Sequence, residues 1–406
     1  NGSRAAAAAR EATAREALLL PQARDGESAG WSCGSRFTPP AYPGTDFTLH
    51  NGAALADTCF EGEGPFHVYA IGDWGGRGSP PVAAHEKVRR AWVPGADDQV
   101  QQRIAGLMRD RAQSSGEPDY LLNVGDNFYW AGVEASCLRP SDWQSQWLDV
   151  YEYIYTGQGI EGKQWLGVLG NHDYGGYRFD MGWTQNIAYT WMPDSRWMTP
   201  AQYWSSKVFY PGFSVDYYFV DSNVWDTNQV SLNVEHNICS LTHNPNGTSC
   251  AAQGGPVDVE LCPKYFQDLW AAQMAWLESR LDASSADWQI VVTHFPPTWA
   301  LEDWAKLSEY YGIDLIVTGH VHNQQFFGIG SENNPIKPTP YIISGGGGGI
   351  TSESVPRADG QDDEYGFVDL TLTKEAITVE MISHRGILRN RAVFGPRPRG
   401  MPPRAA

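Results

Sequence analysis

The sequence predicts an α/β fold in which two β-sheets stack as a sandwich with helices outside, built as a single domain behind an N-terminal extension. Three observations predict it. Five short apolar runs, VYAIGD (68–73), YLLNVGD (120–126), WLGVLGN (165–171), WQIVVTH (288–294) and DLIVTGH (314–320), lack polar alternation and read as strands buried on both faces. Strand and helix signals alternate as far as residue 322. Beyond it the pattern turns β-rich.

In chain order, Arg4 to Leu20 is rich in Ala, Glu and Arg and reads as an isolated helix ended by Pro21, because proline cannot continue it. The Gly, Pro and Ser-rich stretch from Gly26 to Gly44 reads as linker or surface coil, so residues 1–64 form an expected extension to a domain over 65–384. Helices are expected over Asp97 to Gln113, Asp142 to Tyr155, Phe266 to Leu281 and Leu301 to Tyr311, with a further strand from Val215 to Val220. Tyr341 to Ser344, Phe367 to Thr373 and Ala376 to Ile382 supply three closing strands. Gly345 to Gly349 lacks the lysine and following helix of a phosphate loop and reads as a tight turn near the mouth of a site. Residues 385–406 carry six arginines among Pro and Gly and read as a solvated tail. That tail and the extension are where a protein partner, if the chain has one, would dock.

Composition narrows the function. The chain has 406 residues, 42% of them hydrophobic, and 17 tryptophans, enough for a large core. A net charge of −18 argues against nucleic acid as the main partner, since phosphate backbones call for clustered Lys and Arg. No apolar run reaches the about 18 residues of a membrane span. The first residue is not Met, which accords with a cleaved signal peptide. Six cysteines without CxxC spacing favour disulfides in an oxidising compartment, with their pairing open. Asn246-Gly247-Thr248 and Asn1-Gly2-Ser3 fit the glycosylation sequon. A secreted or vacuolar, lysosome-like glycoprotein is the expectation.

Each of the five runs ends in a polar block: Gly72-Asp73, Gly125-Asp126-Asn127-Phe128-Tyr129, Gly170-Asn171-His172-Asp173, Thr293-His294 and Gly319-His320-Val321-His322. Ligands in α/β sheets gather beyond the carboxyl ends of parallel strands. Five such ends deliver carboxylate, phenol, amide and imidazole groups to one crevice, the set that two adjacent metal ions need. In kind and order the blocks resemble the purple acid phosphatases of the calcineurin-like metallophosphoesterase superfamily, whose pattern is D, GDxxY, GNH, VxxH, GHxH. Gly72-Asp73-Trp74-Gly75-Gly76, Trp130-Ala131-Gly132-Val133 and His294-Phe295-Pro296-Pro297 resemble the small, tartrate-resistant type. The segment from Trp225 to Lys264, with three cysteines, departs from it, and the first 60 or so residues have no counterpart.

The resemblance implies that Asp73, Asp126, Tyr129 and His322 bind Fe(III), while Asp126, Asn171, His294 and His320 bind Fe(II), Zn(II) or Mn(II). It implies an acid phosphatase that hydrolyses small phosphate monoesters by attack of a metal-bound hydroxide, with His172 as a catalytic residue aiding the leaving alkoxide. Asp173 is expected to orient a neighbouring imidazole. Two alternatives stand beside this: a phosphodiesterase or nucleotide pyrophosphatase on the same centre, and a binding or assembly protein that keeps a phosphatase-like body. His67, His85, His236 and His243 match no motif.

Overall fold

The computed structural model describes residues 33–76, 90–137, 144–232 and 236–398. Two compact units divide the chain, Asn1–Ser32 and Cys33–Ala406, and every described element belongs to the second. The helix expected from Arg4 to Leu20 and the last residues of the tail lie outside the described residues.

Fifteen strands are described: β1 (Ala53–Ala54), β2 (Thr58–Cys59), β3 (Phe66–Ile71), β4 (Pro118–Asn123), β5 (Trp165–Gly167), β6 (Trp197–Met198), β7 (Trp204–Tyr210), β8 (Phe213–Val220), β9 (Trp288–Thr293), β10 (Leu315–Thr318), β11 (Gln324–Phe327), β12 (Tyr341–Ser344), β13 (Gly366–Leu372), β14 (Ile377–Ser383) and β15 (Leu388–Phe394). They form two sheets. One runs β1-β7-β8-β9-β10-β12-β11, with β2 also on β7; the other runs β15-β14-β13-β3-β4-β5-β6. Strands β8, β9, β10 and β12 pair in parallel in the first sheet, and β3, β4, β5 and β6 in the second.

The absence of alternation in the apolar runs now has its reason. Val68 and Ala70 of β3, Ile290 and Val292 of β9, and Leu315 and Val317 of β10 fill the core shared by the two sheets. Their neighbours Tyr69 and Ile71 pack under a helix layer on one side, and Val291 and Ile316 under another on the far side. Helix α1 (Val100–Ser114) covers the first of these faces with Val100, Ile104, Ala105, Met108 and Ala112, apolar positions at helical spacing. A helical turn α2 (Gln144–Trp147) leads into a π-helical turn at Leu148–Glu152, and α3 (Trp183–Ala188) follows. Helices α4 (Cys262–Ala283) and α5 (Leu301–Tyr311) cover the outer face of the first sheet; Gly312, in a left-handed conformation at φ 67°, ends α5.

Two boundaries differ from expectation. Residues 33–64 belong to the folded unit: Phe37 and Leu55 enter the inter-sheet core, Cys33 is bonded to Cys59, and β1 and β2 extend the first sheet. Turn-rich composition resembles that of a linker, but two apolar anchors and a crosslink are enough to hold it. Likewise Leu388–Phe394, expected to start a solvated tail, is an edge strand whose arginines face outward, Arg391 pairing with Glu380 on β14.

Trp74, fully buried, directly follows Asp73 and forms the hub of an aromatic cluster, its ring centroid 5.3–5.8 Å from those of Tyr155, Trp165, Tyr151 and Phe128. All six cysteines are oxidised, in the pairs Cys33–Cys59, Cys137–Cys250 and Cys239–Cys262. The last closes the segment that departs from the small phosphatases, and the second ties that segment to the loop after Tyr129. Oxidised cysteines fit an oxidising, non-cytosolic compartment. Replacing Cys239 and Cys262 together by serine is expected to cost roughly 2–4 kcal/mol in a urea titration. Trp74→Ala should cost roughly 3–5 kcal/mol by the same measurement, because a cavity opens at the hub.

Candidate metal centre

Strand β3 is followed by Gly72-Asp73, β4 by Gly125-Asp126, β5 by Asn171-His172, β9 by His294, and β10 by His320 and His322. The first three strands belong to one sheet and the last two to the other, so the crevice lies on the seam between sheets. Asp73, Asp126 and His320 hold left-handed backbone at φ 57°, 51° and 68°. Such non-glycine positions cost about 1–3 kcal/mol each and persist only where the surroundings fix them. Here the turns bond to one another: Asp73 N–H donates to Gly125 O (3.0 Å) and Gly319 N–H to His294 O (2.9 Å). The motif glycines are required by this crowding. A Cβ on Gly170 would lie 2.2 Å from Asp126 Oδ1, and one on Gly319 2.5 Å from Asp73 Oδ2.

The structure brings all seven expected ligands together, in two groups that share Asp126. On one side Tyr129 Oη lies 2.8 Å from Asp126 Oδ2, 3.1 Å from Asp73 Oδ1 and 3.5 Å from His322 Nε2. On the other, His294 Nε2 lies 3.4 Å from Asp126 Oδ1 and 3.0 Å from Asn171 Oδ1, which is 3.2 Å from His320 Nδ1. Asp73, Asp126 and His322 each offer a ligand atom within 4.8 Å of the others. Among the residues around the donors, His294 Nδ1 lies 2.8 Å from Val124 O. A carbonyl only accepts, so Nδ1 carries a proton and Nε2 is the nitrogen turned toward the crevice.

Burial sets the electrostatics. It pushes the Asp73 carboxyl well above its ordinary range, and Asp126 alongside adds to the rise. Burial and then the two carboxylates push the Tyr129 phenol up. Desolvation opposes charge on Asp126 too, but His294 and His172 outweigh it and hold the carboxylate ionised. His294 is pushed up to about 9: burial works against its charge, and the Asp126 and Asp73 carboxylates prevail. Burial drives His322 down to about 4 and His320 well below its usual value, with His294 adding to both effects. Protons alone serve this donor set poorly. Hard anionic oxygens beside neutral imidazoles and an amide are what cations between them would satisfy, so the residues fit the metals.

His172 is at the rim, 9% exposed, its backbone N–H bonded to Asp126 Oδ1 (2.9 Å) and its Nδ1 to Trp130 O (2.6 Å). Asp173 does not orient an imidazole. Its buried carboxylate accepts from Gly170 N, Asn127 N and Asn127 Nδ2, which ties the Gly125 and Gly170 turns together. Sequence reasoning missed Asn127 in that role although it stands inside the GDxxY block. It also missed Glu353, whose Oε1 lies 3.5 Å from His322 Nδ1 and which carries no motif.

Residues 66–324 match the model of the calcineurin-like phosphoesterase family. Among curated relatives, the mouse (Mus musculus) tartrate-resistant acid phosphatase type 5 is 26% identical over 291 residues, 68% of this chain and 71% of that protein. Purple acid phosphatase 7 of Arabidopsis thaliana is 24% identical over 327 residues, 77% of this chain and 80% of its own. Among solved structures, GAP50, the anchor in the inner membrane complex of Plasmodium, superposes with a TM-score of 0.54 at 15% identity over 82% of this chain and 90% of its own, a likeness of fold alone. These relationships imply a dinuclear metal centre, and with a matched segment that takes in all five blocks, the chain belongs to the calcineurin-like phosphoesterase family, with tartrate-resistant and purple acid phosphatases among its relatives.

Proposed function

We propose that this protein is a dinuclear-metal acid phosphatase acting on phosphate monoesters. The observation that carries the reading is the position of the Asp126 carboxylate, with Tyr129 on one oxygen and His294 on the other. Asp73, Asp126, Tyr129 and His322 would hold Fe(III), whose preference is for hard, anionic oxygens. Asp126, Asn171, His294 and His320, with two imidazoles and a neutral amide, would hold a divalent ion: Fe, Zn or Mn. When bound, two such cations neutralise phosphate oxygens and acidify a water for attack on phosphorus.

The chain's residues do the rest. Burial at the seam keeps Asp73, Asp126, Tyr129, Asn171 and His294 largely from bulk water, while His320 and His322 stay half-buried. The Val124 carbonyl holds His294 in one tautomer, and Glu353 flanks the outer nitrogen of His322. With Nδ1 committed to the Trp130 carbonyl, His172 has Nε2 for the leaving group; as an imidazolium it donates that proton to the departing alkoxide. Tyr129 favours this reading over a diesterase on the same centre, since the GDxxY tyrosine is what the phosphatase pattern adds. The fold likeness to an anchor protein gives an assembly role no weight against a complete donor set. Residence in a secretory or vacuolar compartment, with a glycan on the exposed Asn246, accords with the oxidised cysteines.

Iron-loaded protein is expected to show a visible absorption band from Tyr129 phenolate to Fe(III) charge transfer, and Tyr129→Phe should bleach it while iron remains measurable. A colourless protein holding two zinc ions would overturn the Fe(III) assignment and leave the phosphoesterase class standing. His172→Ala should retain metal and colour yet lose roughly 10²–10⁴ in rate on an alkyl phosphate. The loss on an aryl phosphate should be much smaller, because a phenolate departs with little help. Equal losses would reassign His172 to charge stabilisation.

A further inference from the structure

Beyond His172 a line of rings leads from the donor set to the surface. Tyr129 lies 4.6 Å from His172 between centroids, His172 lies 6.2 Å from Tyr177, and Tyr177 lies 5.7 Å from His243 and 5.9 Å from His236. Tyr177 is half-buried at φ 77°, following Gly175 and Gly176 at 66° and 57°. A Cβ on Gly176 would meet Trp130 O at 2.9 Å, so this turn presses against the strand-end loop. Non-glycine residues held in this strained region cluster at functional sites, and Asp73, Asp126 and His320 share the conformation here.

The surroundings of Tyr177 are built to hold it. Buried Asn244 donates through Nδ2 to Tyr177 O (3.0 Å), Ile238 O and Ser240 O, and accepts from Phe179 N. Asn237, also buried, pins the chain beside His236 by bonds to Gln229 O and Leu232 O. The Cys239–Cys262 bond closes the same segment. Trp130, 39% exposed, packs 5.6 Å from His172 on the neighbouring side.

We propose that Tyr177, framed by His236, His243 and Trp130, is a subsite that receives the leaving group of an aromatic phosphate ester. The inference rests on the phosphatase reading, which puts the leaving oxygen at His172 Nε2 and hence the rest of that group over Tyr177. Rings rather than cations decide the ligand class: Arg178 is paired with Asp180 (3.3 Å) and His236 faces Asp226 (3.6 Å), a poor setting for a second phosphate. An aromatic face on Tyr177 gains from offset or edge-to-face contact.

The test is calorimetric titration of metal-loaded full-length protein with phenylphosphonate and methylphosphonate, which bind without being hydrolysed. Wild type should prefer the phenyl compound by about 3–10-fold. Tyr177→Gly, which suits the backbone conformation, should bring that ratio to about one, and Tyr177→Phe should restore it. Equal affinity of wild type for the two compounds, or a ratio that survives in Tyr177→Gly, overturns the subsite. Loss of the ratio in Tyr177→Phe as well also overturns stacking, since it would assign the effect to the hydroxyl. A phenyl preference in a protein that hydrolyses neither phenyl phosphate nor propyl phosphate would leave the subsite standing and reject the phosphatase reading.

Discussion

Two carboxyl groups and a phenol are packed within about hydrogen-bonding distance of one another in a crevice that water barely reaches, and the rest of the structure answers to that repulsion. Asp73 and Asp126 are each about 1% exposed. Side chains compensate in part: the two carboxylates favour the protonated form of His294, while burial strips protons from His320 and His322. Positive charge from outside the chain would relieve such a cluster. The left-handed turns, the glycines without room for a Cβ and the crossed backbone bonds keep it from relaxing apart before that charge arrives.

Rigidity on that scale needs a deep foundation. The strands that carry the donors are covered on both faces, between sheets on one side and helices on the other. Trp74 extends this downward from Asp73, since its ring cannot shift without disturbing Tyr151, Tyr155 and Trp165 together. Asp173 does the equivalent work with hydrogen bonds, holding two neighbouring turns at a fixed separation. A sub-ångström displacement of a donor is thereby opposed by close packing throughout one side of the domain.

The clustering of the seven side chains was legible because its chemistry is local: each stands within a few residues of a strand end, and an unalternating apolar run betrays a strand covered on both faces. Helix α5 was read at its observed bounds for a similar reason, with apolar spacing from Leu301 to Tyr311 and a glycine directly after. What escaped was long-range. Residues 33–64 look like a linker in composition, and only the bond from Cys33 to Cys59 and the burial of Phe37 make them part of the body. Glu353 and Asn127 act through partners far away in sequence, and Asp173, adjacent to His172, turns the other way. His236 and His243 gained neighbours only because Asn237 and Asn244 anchor their loop.

The seam between sheets also imposes an order in time. Each donor group draws on both sheets: Asp73, Asp126 and Tyr129 lack His322, and Asn171 lacks His294 and His320, until the sheet of β9 and β10 has docked on that of β3, β4 and β5. During synthesis the amino-terminal donors emerge more than a hundred residues before the imidazoles that complete them. A half-built chain therefore offers scattered carboxylates, and metal capture would belong to the finished fold. Ions held by both donor groups would draw on both sheets at once, so loading would tie the seam and turn a late step of maturation into a lock on the whole domain.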